Sequence, residues 1–148
     1  MKNIEAVISR FRQEGYKITP QRRAIFEILV NNDTHPKAEE IYKEIKIKMP
    51  DISRTTVYNT LKELNEMGTI DVVSNVGGDS NRYDPNTENH HHLYCQHCHR
   101  IIDLEIDFKD VKLSEQTSLG FKIVKNQITF FGYCPNCQKR LNRKTVST

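Results

Sequence analysis

Two Cys-x-x-Cys pairs constrain the fold of this chain more than any other feature of its sequence. Cys95 and Cys98 form the first pair, and Cys134 and Cys137 form the second. Together they offer four thiolates, the number that a tetrahedral structural zinc requires. Two residues between ligands let a tight turn bring both sulfurs to one ion, and each pair follows a predicted strand, as in a zinc ribbon. The pairs therefore predict a structural zinc site.

The alternative interpretations of the cysteines are redox-active thiols or simply buried ones. A thioredoxin-like oxidoreductase needs one Cys-x-x-Cys at the start of a helix within a βαβ unit, whereas this region predicts strands and a tight turn at Pro135-Asn136. A zinc closed by four thiolates leaves no open position for a substrate, which argues against a zinc-dependent hydrolase. No general base or nucleophile is placed beside an open zinc, so we expect a protein that is not an enzyme.

Composition and charge limit the function only weakly. A net charge of +3 over 148 residues is too mild to indicate a nucleic-acid partner by itself. The charges are uneven, because the six basic residues up to Arg23 face only Glu5 and Glu14. No apolar run is as long as a membrane span, and the N-terminus lacks the features of a signal peptide. We therefore expect a cytoplasmic protein with no membrane partner, where paired cysteines more often bind metal than form disulfides.

Helical periodicity dominates the first half of the chain. Apolar residues recur at spacings of three and four over 3–13, 20–30 and 37–48. Thr19 followed by Pro20 is an N-cap with proline at the first helical position, which marks the start of the second helix. The sequence predicts three helices before residue 50.

A fourth predicted helix follows the N-cap Ser53 and ends at Gly68. One face would bury Val57, Leu61 and Leu64. The opposite face is polar, and its residues are Arg54, Thr55, Tyr58, Asn59 and Lys62. Arginine can read guanine and asparagine adenine in the major groove, so this face suits the recognition helix of a helix-turn-helix; the alternative is an ordinary solvated face.

Two predicted strands at 70–74 and 80–84, joined by a glycine-rich turn at 77–79, complete the order of a winged helix. The wing commonly contacts the DNA backbone, so basic residues here and in the first two helices are candidate phosphate contacts. These candidates are Lys17, Arg22 and Arg82. Their alternative role is ordinary solubilising charge.

The second half of the chain predicts a small α/β domain. Strands are predicted at 90–94, 101–106, 121–124 and 127–133, with a helix around 109–118 that ends at Gly120 and a frayed polar tail from Gln138. The fold class is therefore α+β, with a winged helix-turn-helix domain at 1–84, a hinge at 85–89 and a metal-binding domain at 90–148.

Five of the six histidines lie between residues 90 and 99 and predict a second metal site. His90 and His92 would share one face of a strand, and Asp84 and Asp103 offer carboxylates nearby in the sequence. Mixed imidazole and carboxylate ligation suits Fe(II), Mn(II) or zinc. His35 is ambiguous from its surroundings alone. The histidines that need not take part are His91, His97 and His99.

Taken together, these motifs resemble the ferric uptake regulator family of metal-dependent bacterial repressors over essentially the whole chain. The matching stretches are Thr19-Pro20-Gln21-Arg22, His35-Pro36, Ala38-Glu39-Glu40-Ile41-Tyr42, Ser53 to Leu61, Arg82-Tyr83-Asp84, His90 to Cys95 and both cysteine pairs. The resemblance implies a homodimer that binds a double-stranded DNA operator, with the C-terminal domain as the dimerisation domain. It also implies a structural zinc on the four cysteines and a regulatory Fe(II) or Mn(II).

Carried over position by position, the regulatory ligands that the resemblance implies are His35, Asp84, His90, His92 and Asp103. One ion holding groups from both domains would fix the angle between the two winged helices of a dimer. Both recognition helices could then meet successive major-groove half-sites.

The branch of the family is indicated by the carboxylates. Iron-sensing members generally carry glutamate at the positions of Asp84 and Asp103, so the aspartates resemble the peroxide-sensing branch. Asn89 and Asn126 stand where a third metal site of many iron sensors would supply histidine, which points the same way. In the peroxide-sensing branch Fe(II) reacts with hydrogen peroxide and a ligand histidine is oxidised. The implied oxidation targets are His35 and His90, and an iron-sensing repressor is the alternative function.

Overall fold

The computed structural model describes residues 3–73, 81–106 and 119–145, the last four of these as backbone only. The chain divides into two compact units, 1–87 and 88–148. The division falls within the segment predicted as a hinge, and the hinge itself stays a prediction. Among the described residues, no helix has the length and apolar character needed to cross a bilayer.

Four helices followed by a two-stranded sheet form the first unit, in the predicted winged-helix order. The elements are α1 (Ile4–Gln13), α2 (Pro20–Leu29), α3 (Ala38–Lys48), α4 (Arg54–Glu66), β1 (Asp71–Val73) and β2 (Arg82–Asp84). The two strands are antiparallel, with Val72 opposite Tyr83. The winged-helix fold is confirmed, and the predicted turn at 77–79 lies outside the described residues.

Capping side chains fix where the helices start. Thr19 Oγ1 accepts the backbone N–H of Arg22 at 3.2 Å, and Ser53 Oγ accepts that of Thr56 at 3.0 Å. Each cap satisfies a donor that the first turn leaves without an intrahelical partner. Gly68 follows α4 with a φ of +62°, a left-handed conformation that glycine adopts without steric penalty. The start of α4, and with it the predicted recognition face, is therefore set locally.

One apolar core joins the four helices. The predicted stripes are confirmed, since Val57, Leu61 and Leu64 on α4 are fully buried. On α2 the helical spacing predicts a stripe of Ile25, Ile28 and Leu29 without Phe26, yet Phe26 is fully buried and its ring lies 4.8 Å from that of Phe11. Burying such side chains is the main contribution to the stability of a unit this small.

A three-stranded sheet and one helix form the described part of the second unit. The elements are β3 (His91–Cys95), β4 (Ile101–Leu104), β5 (Thr129–Gly132) and α5 (Pro135–Thr145). The central strand β3 pairs antiparallel with β4 and parallel with β5, which places Cys95 opposite Gly132. The parallel pairing thus brings the ends of β3 and β5 together, and a cysteine pair lies at each end.

The predicted strand at 121–124 is wrong. The backbone there is irregular, and the side chains of Phe121 and Val124 are 74% and 88% exposed. Strand propensity reflects packing against neighbours on a pleated surface, and these exposed side chains lack it. The predicted helix at 109–118 lies outside the described residues.

The frayed tail predicted from Gln138 and the tight turn predicted at Pro135-Asn136 are also wrong. Both segments belong to α5, which starts at Pro135. Proline is well suited to the first helical position because its missing N–H has no intrahelical acceptor there. The second cysteine pair therefore lies at a helix N-terminus rather than in a knuckle.

Candidate metal centres and nucleic-acid interface

The four cysteines form one cluster, as predicted. Their four Sγ atoms lie within 4.8 Å of one another, and Cys98 Sγ is 3.8 Å from Cys134 Sγ. A tetrahedral zinc with Zn–S bonds of about 2.3 Å separates its sulfurs by about 3.8 Å. All four cysteines are present as free thiols rather than disulfides. The cluster therefore fits a closed structural zinc.

The surroundings of the cluster shift the pKa values of its thiols in opposite directions. Burial alone would raise the pKa of the Cys95 thiol, but the backbone N–H groups of Cys134, Cys98 and His97 lower that pKa to about 5. A backbone hydrogen bond from Cys137 also lowers the pKa of Cys134, whereas burial and hydrogen bonds to the neighbouring thiols raise the pKa of Cys137 to about 12. The cluster thus favours thiolate at two sulfurs and resists ionisation at a third. A divalent cation would remove this resistance, because metal binding displaces the thiol protons.

In the second unit, two histidines and one aspartate converge. His90 Nε2 lies 3.0 Å from His92 Nε2, and Asp103 Oδ1 lies 3.6 Å from each of these nitrogens. His90 immediately precedes β3 and its ring lies on the same side as that of His92, and Asp103 on β4 lies directly opposite His92. Two imidazoles and one carboxylate are also the ligand types of the facial triad in non-haem Fe(II) sites with open positions.

In the first unit, His35 and Asp84 form a second pair of candidate ligands. His35 Nε2 lies 3.5 Å from Asp84 Oδ2, and both residues are buried. The other oxygen of Asp84, Oδ1, accepts the backbone N–H of Asn86 at 2.8 Å, which orients the carboxylate. The pair thus presents one imidazole nitrogen and one carboxylate oxygen toward each other.

Backbone carbonyls hold the rings of His35 and His90 in the tautomer that a metal ligand needs. His35 Nδ1 lies 3.1 Å from the carbonyl oxygen of Asp33, and His90 Nδ1 lies 2.8 Å from that of Glu88. A carbonyl can only accept, so Nδ1 carries the proton and donates it. The lone pair is then on Nε2, the atom that faces the carboxylate in each unit.

Structural contacts engage the other histidines. His91 Nδ1 accepts the backbone N–H of Ile128 at 3.1 Å, so it connects β3 to the segment that leads into β5. His99 Nδ1 hydrogen-bonds the hydroxyl of Tyr94. His97 is exposed. The three histidines left out of the predicted metal-ligand set thus have environments unlike that of the ligand histidines.

The polar face of α4 is exposed as predicted. Arg54, Thr55, Tyr58 and Asn59 all lie at the surface, and Tyr58 is 47% exposed. Arg54 is nonetheless engaged. Its Nε and Nη2 donate to the two carboxylate oxygens of Glu39 at 3.0 Å each. These bonds lower the pKa of Glu39 and raise that of Arg54.

Arg22 and Lys17, the predicted phosphate contacts, have different environments. Lys17 is exposed, whereas the Arg22 side chain is 18% exposed and its Nη2 donates to both carboxylate oxygens of Glu63 at 2.8 and 2.7 Å. Arg22 Nη1 donates to the carbonyl oxygen of Lys17 at 2.8 Å. Arg22 therefore contributes to packing within the first unit, and phosphate binding by Lys17 stays a prediction.

Arg82 has a role that the sequence did not predict. The sequence predicts a phosphate contact for Arg82, whereas in the structure its Nη1 donates to the carbonyl oxygen of His35 at 3.0 Å. The two residues are 47 positions apart. No local spacing relates them, so only the pairing of β2 with the segment before α3 could have revealed the contact.

Comparisons with known proteins find similarity over most of the chain. A family model for the ferric uptake regulator family matches residues 13–131. The peroxide-responsive repressor PerR of Staphylococcus aureus is 34% identical over 138 residues, which cover 93% of each chain. The Helicobacter pylori ferric uptake regulator Fur, described as having three functional metal-binding sites, has a TM-score of 0.76 at 26% identity, covering 93% of this chain and 95% of its own. PerR from Streptococcus pyogenes has a TM-score of 0.54 at 28% identity over the same shares of the two chains.

Proposed function

The chain belongs to the ferric uptake regulator family, and we propose that it is a homodimeric, metal-dependent transcriptional repressor that senses peroxide. The proposal rests mainly on the group formed by the imidazoles of His90 and His92 and the carboxylate of Asp103. Such a group suits Fe(II) and leaves coordination positions open for a small oxidant. The Staphylococcus aureus relative is itself a peroxide-responsive repressor.

The Cys95, Cys98, Cys134 and Cys137 cluster holds a structural zinc in this proposal. The sulfur spacing supports that assignment, and a site closed by four thiolates contributes folding free energy outright. Its two halves come from the ends of β3 and β5, so the ion would cross-link the sheet of the second unit.

The regulatory ion, Fe(II) or Mn(II), is bound by His35, Asp84, His90, His92 and Asp103 in this proposal. The family resemblance supplies the five-ligand set, and the convergence of ligand atoms within each unit supports its two parts. His35 and His90 keep Nε2 deprotonated through their Nδ1–H bonds to carbonyls. The carboxylates of Asp84 and Asp103 offset part of the charge of a divalent cation.

Bound Fe(II) supplies the electron-transfer chemistry that activates hydrogen peroxide. One peroxide oxygen would be inserted into a ring C–H bond of the His35 or His90 imidazole, so that C–H becomes C–OH or its oxo tautomer, and the rest of the peroxide would leave as water. Histidine is therefore oxidised and peroxide reduced. An oxidised ring no longer offers the same nitrogen lone pair, so the repressor loses its metal and releases DNA.

The surface of the second unit supports a homodimer. Leu93, Ile102 and Phe130 share one face of the sheet and are 41%, 44% and 40% exposed, and β5 is an outer strand of the described sheet. Adjacent exposed apolar groups and an outer strand favour association with another chain. We propose that a second copy covers this face, while α4 of each copy contacts a half-site of the DNA operator through Arg54, Thr55, Tyr58 and Asn59.

The test is peptide mass spectrometry after mild peroxide treatment of the zinc-containing protein loaded with Fe(II). The control is the same protein loaded with Mn(II), which keeps the site filled without this redox chemistry. We expect a mass gain of one oxygen atom at His35 or His90 in the Fe(II) form alone. Release from a DNA fragment, selected beforehand from a random library by the Mn(II) form, should follow the same time course.

Two results would count against the proposal in different ways. DNA binding that follows Fe(II) supply without histidine oxidation would identify an iron-sensing regulator, the alternative function. Absence of metal-dependent DNA binding at every Fe(II) and Mn(II) level would refute metal-dependent repression altogether.

A further inference from the structure

We propose that Arg82 is a positioning residue for the regulatory site, because its guanidinium holds the His35 backbone and thereby aims the His35 imidazole. The inference rests on the proposed function in one respect, since it takes His35 as a metal ligand. The contacts that carry it all lie within the first unit.

Three consecutive residues before α3 are attached to β2. Arg82 Nη1 donates to the His35 carbonyl at 3.0 Å, and the backbone N–H of Tyr83 donates to the Pro36 carbonyl at 3.0 Å. Lys37 forms an isolated antiparallel bridge with Arg82. The last residue of β2 is Asp84, whose carboxylate faces His35. The strand that carries one ligand therefore also holds the backbone of the other.

The backbone of His35 needs such support. Its φ is +51°, in the left-handed region that residues with a side chain rarely adopt. A residue persists there only when its surroundings hold it. The charged guanidinium makes a stronger hydrogen bond to the carbonyl than a neutral donor would. Without that bond the His35 backbone can relax to the extended conformation that Pro36 favours in the residue before it, which would turn the ring away from Asp84.

Because Arg82 contacts only the ligands of the first unit, its role can be tested separately from the ligands of the second unit. Removing the Arg82 guanidinium should disturb His35 while leaving His90, His92 and Asp103 unchanged, because those three lie in the second unit. If Arg82 positions His35, its removal should therefore expose the His35 ring alone. General unfolding of the protein would expose all of the histidines together.

The experiment compares the full-length wild type with Arg82→Met, Arg82→Lys and Arg82→Gln. Methionine keeps an apolar side chain and removes every donor, lysine keeps a charged donor, and glutamine keeps a neutral one. Arg23→Met is the matched control, because Arg23 is a half-exposed arginine of the same unit whose ion pairs are with Glu5 and Glu27. Far-UV circular dichroism and the urea midpoint check that each variant is folded.

The first readout uses protein that keeps its structural zinc but carries no Fe(II) or Mn(II). Diethyl pyrocarbonate modifies accessible, unprotonated imidazoles, and mass spectrometry gives the rate at each histidine. We expect His35 to react several-fold faster in Arg82→Met than in the wild type, with an unchanged rate at His90. Arg82→Lys should restore most of the protection, and Arg23→Met should match the wild type. Should Arg82→Met fail to fold, Arg82→Gln replaces it, with the same selective increase expected at His35.

The second readout is Mn(II) affinity, with oxidation of the Fe(II) form measured alongside. Substitution of residues that orient metal ligands commonly weakens binding by about 10- to 100-fold, and we expect the lower end of that range for Arg82→Met. Oxidation should shift from His35 toward His90.

Unchanged His35 reactivity and Mn(II) affinity in a folded Arg82→Met, or in Arg82→Gln if the methionine variant does not fold, would overturn the inference. An equal rise in reactivity at His35 and His90 would overturn it too. Failure of the wild type to bind Mn(II) or Fe(II) would instead refute the proposed function. The reactivity at His35 in zinc-containing protein without Fe(II) or Mn(II) would then still decide whether Arg82 holds the His35 backbone.

Discussion

Replacing Arg22 by methionine should destabilise the first unit without removing a direct DNA contact. The guanidinium donates to both oxygens of Glu63 at 2.7 and 2.8 Å and to the carbonyl of Lys17 at 2.8 Å. It also lies 5.5 Å from the ring centroid of Phe11 and 5.4 Å from that of Tyr16. These contacts join α2 to α4 and to the segment between α1 and α2.

The expected magnitude follows from burial. A hydrogen bond to a charged group contributes about 1.5–3 kcal/mol when protected, and an exposed ion pair contributes about 0.2–1 kcal/mol. Both Arg22 and Glu63 are 18% exposed, so the pair belongs toward the lower end of the protected range. Contacts with the aromatic rings add about 0.5–1 kcal/mol. We expect Arg22→Met to lower the free energy of unfolding by about 2–3 kcal/mol.

A double-mutant cycle with Glu63→Gln measures the ion pair itself. Urea unfolding is followed by far-UV circular dichroism at fixed zinc and protein concentrations, because both ligand and partner binding shift apparent stability. We expect a coupling free energy of about 1.5 kcal/mol between the two positions. Lys17→Met is the control, because Lys17 is an exposed predicted phosphate contact. It should leave the free energy of unfolding unchanged.

One result would refute this reasoning. If Arg22→Met keeps the wild-type unfolding curve but reduces the salt dependence of DNA binding by about one unit of slope, Arg22 contacts a phosphate. In that case Arg22 would leave Glu63 and bind a DNA phosphate in the complex.

Other residues give sharper tests of the two metal centres and of the DNA surface. Cys98→Ser should remove the zinc, measured as metal content, and with it the dimer, measured by analytical ultracentrifugation; a stable zinc-free dimer would contradict the structural role. Asp103→Glu should keep Mn(II)-dependent DNA binding but reduce histidine oxidation, measured by peptide mass. Tyr58→Ala should weaken binding to selected DNA by about 1–3 kcal/mol, whereas an equal loss on random DNA would indicate a backbone contact. Glu39→Gln should free the Arg54 guanidinium and steepen the salt dependence of DNA binding; an unchanged slope would place Arg54 away from phosphate.

The features that the sequence predicted well depend on local spacing. The N-caps Thr19 and Ser53, the buried stripe of α4 and the two cysteine pairs are each encoded within a few residues. The winged-helix order follows from those segments, because each helix must bury one face against the others. The two-residue spacing of His90 and His92 likewise predicted that their side chains share a face, with His91 on the other.

The features that the sequence did not predict depend on contacts between distant positions. The strand expected at 121–124 has suitable residues but exposed side chains. The second cysteine pair lies at the start of α5, although Pro135-Asn136 resembles a turn equally well. Proline fits both a turn and the first position of a helix, and the residues that follow decide between them. Arg22 is basic in the sequence, and only the fold shows its pairing with Glu63.

The two metal centres differ in what they require of the backbone, and this difference supports their separate roles. The four sulfurs lie at the ends of paired strands and at a helix start, so regular secondary structure already holds them. His35 instead has a left-handed backbone held through the guanidinium of Arg82 and through β2. A ligand held by such a contact can be released without unfolding the sheet or the helices, because few other interactions change. That is what a reversible regulatory site needs, whereas a zinc that cross-links a sheet must stay bound for the fold to persist. Loss of the regulatory ion should therefore alter the segment between α2 and α3, next to Glu39, and leave the cysteine cluster intact.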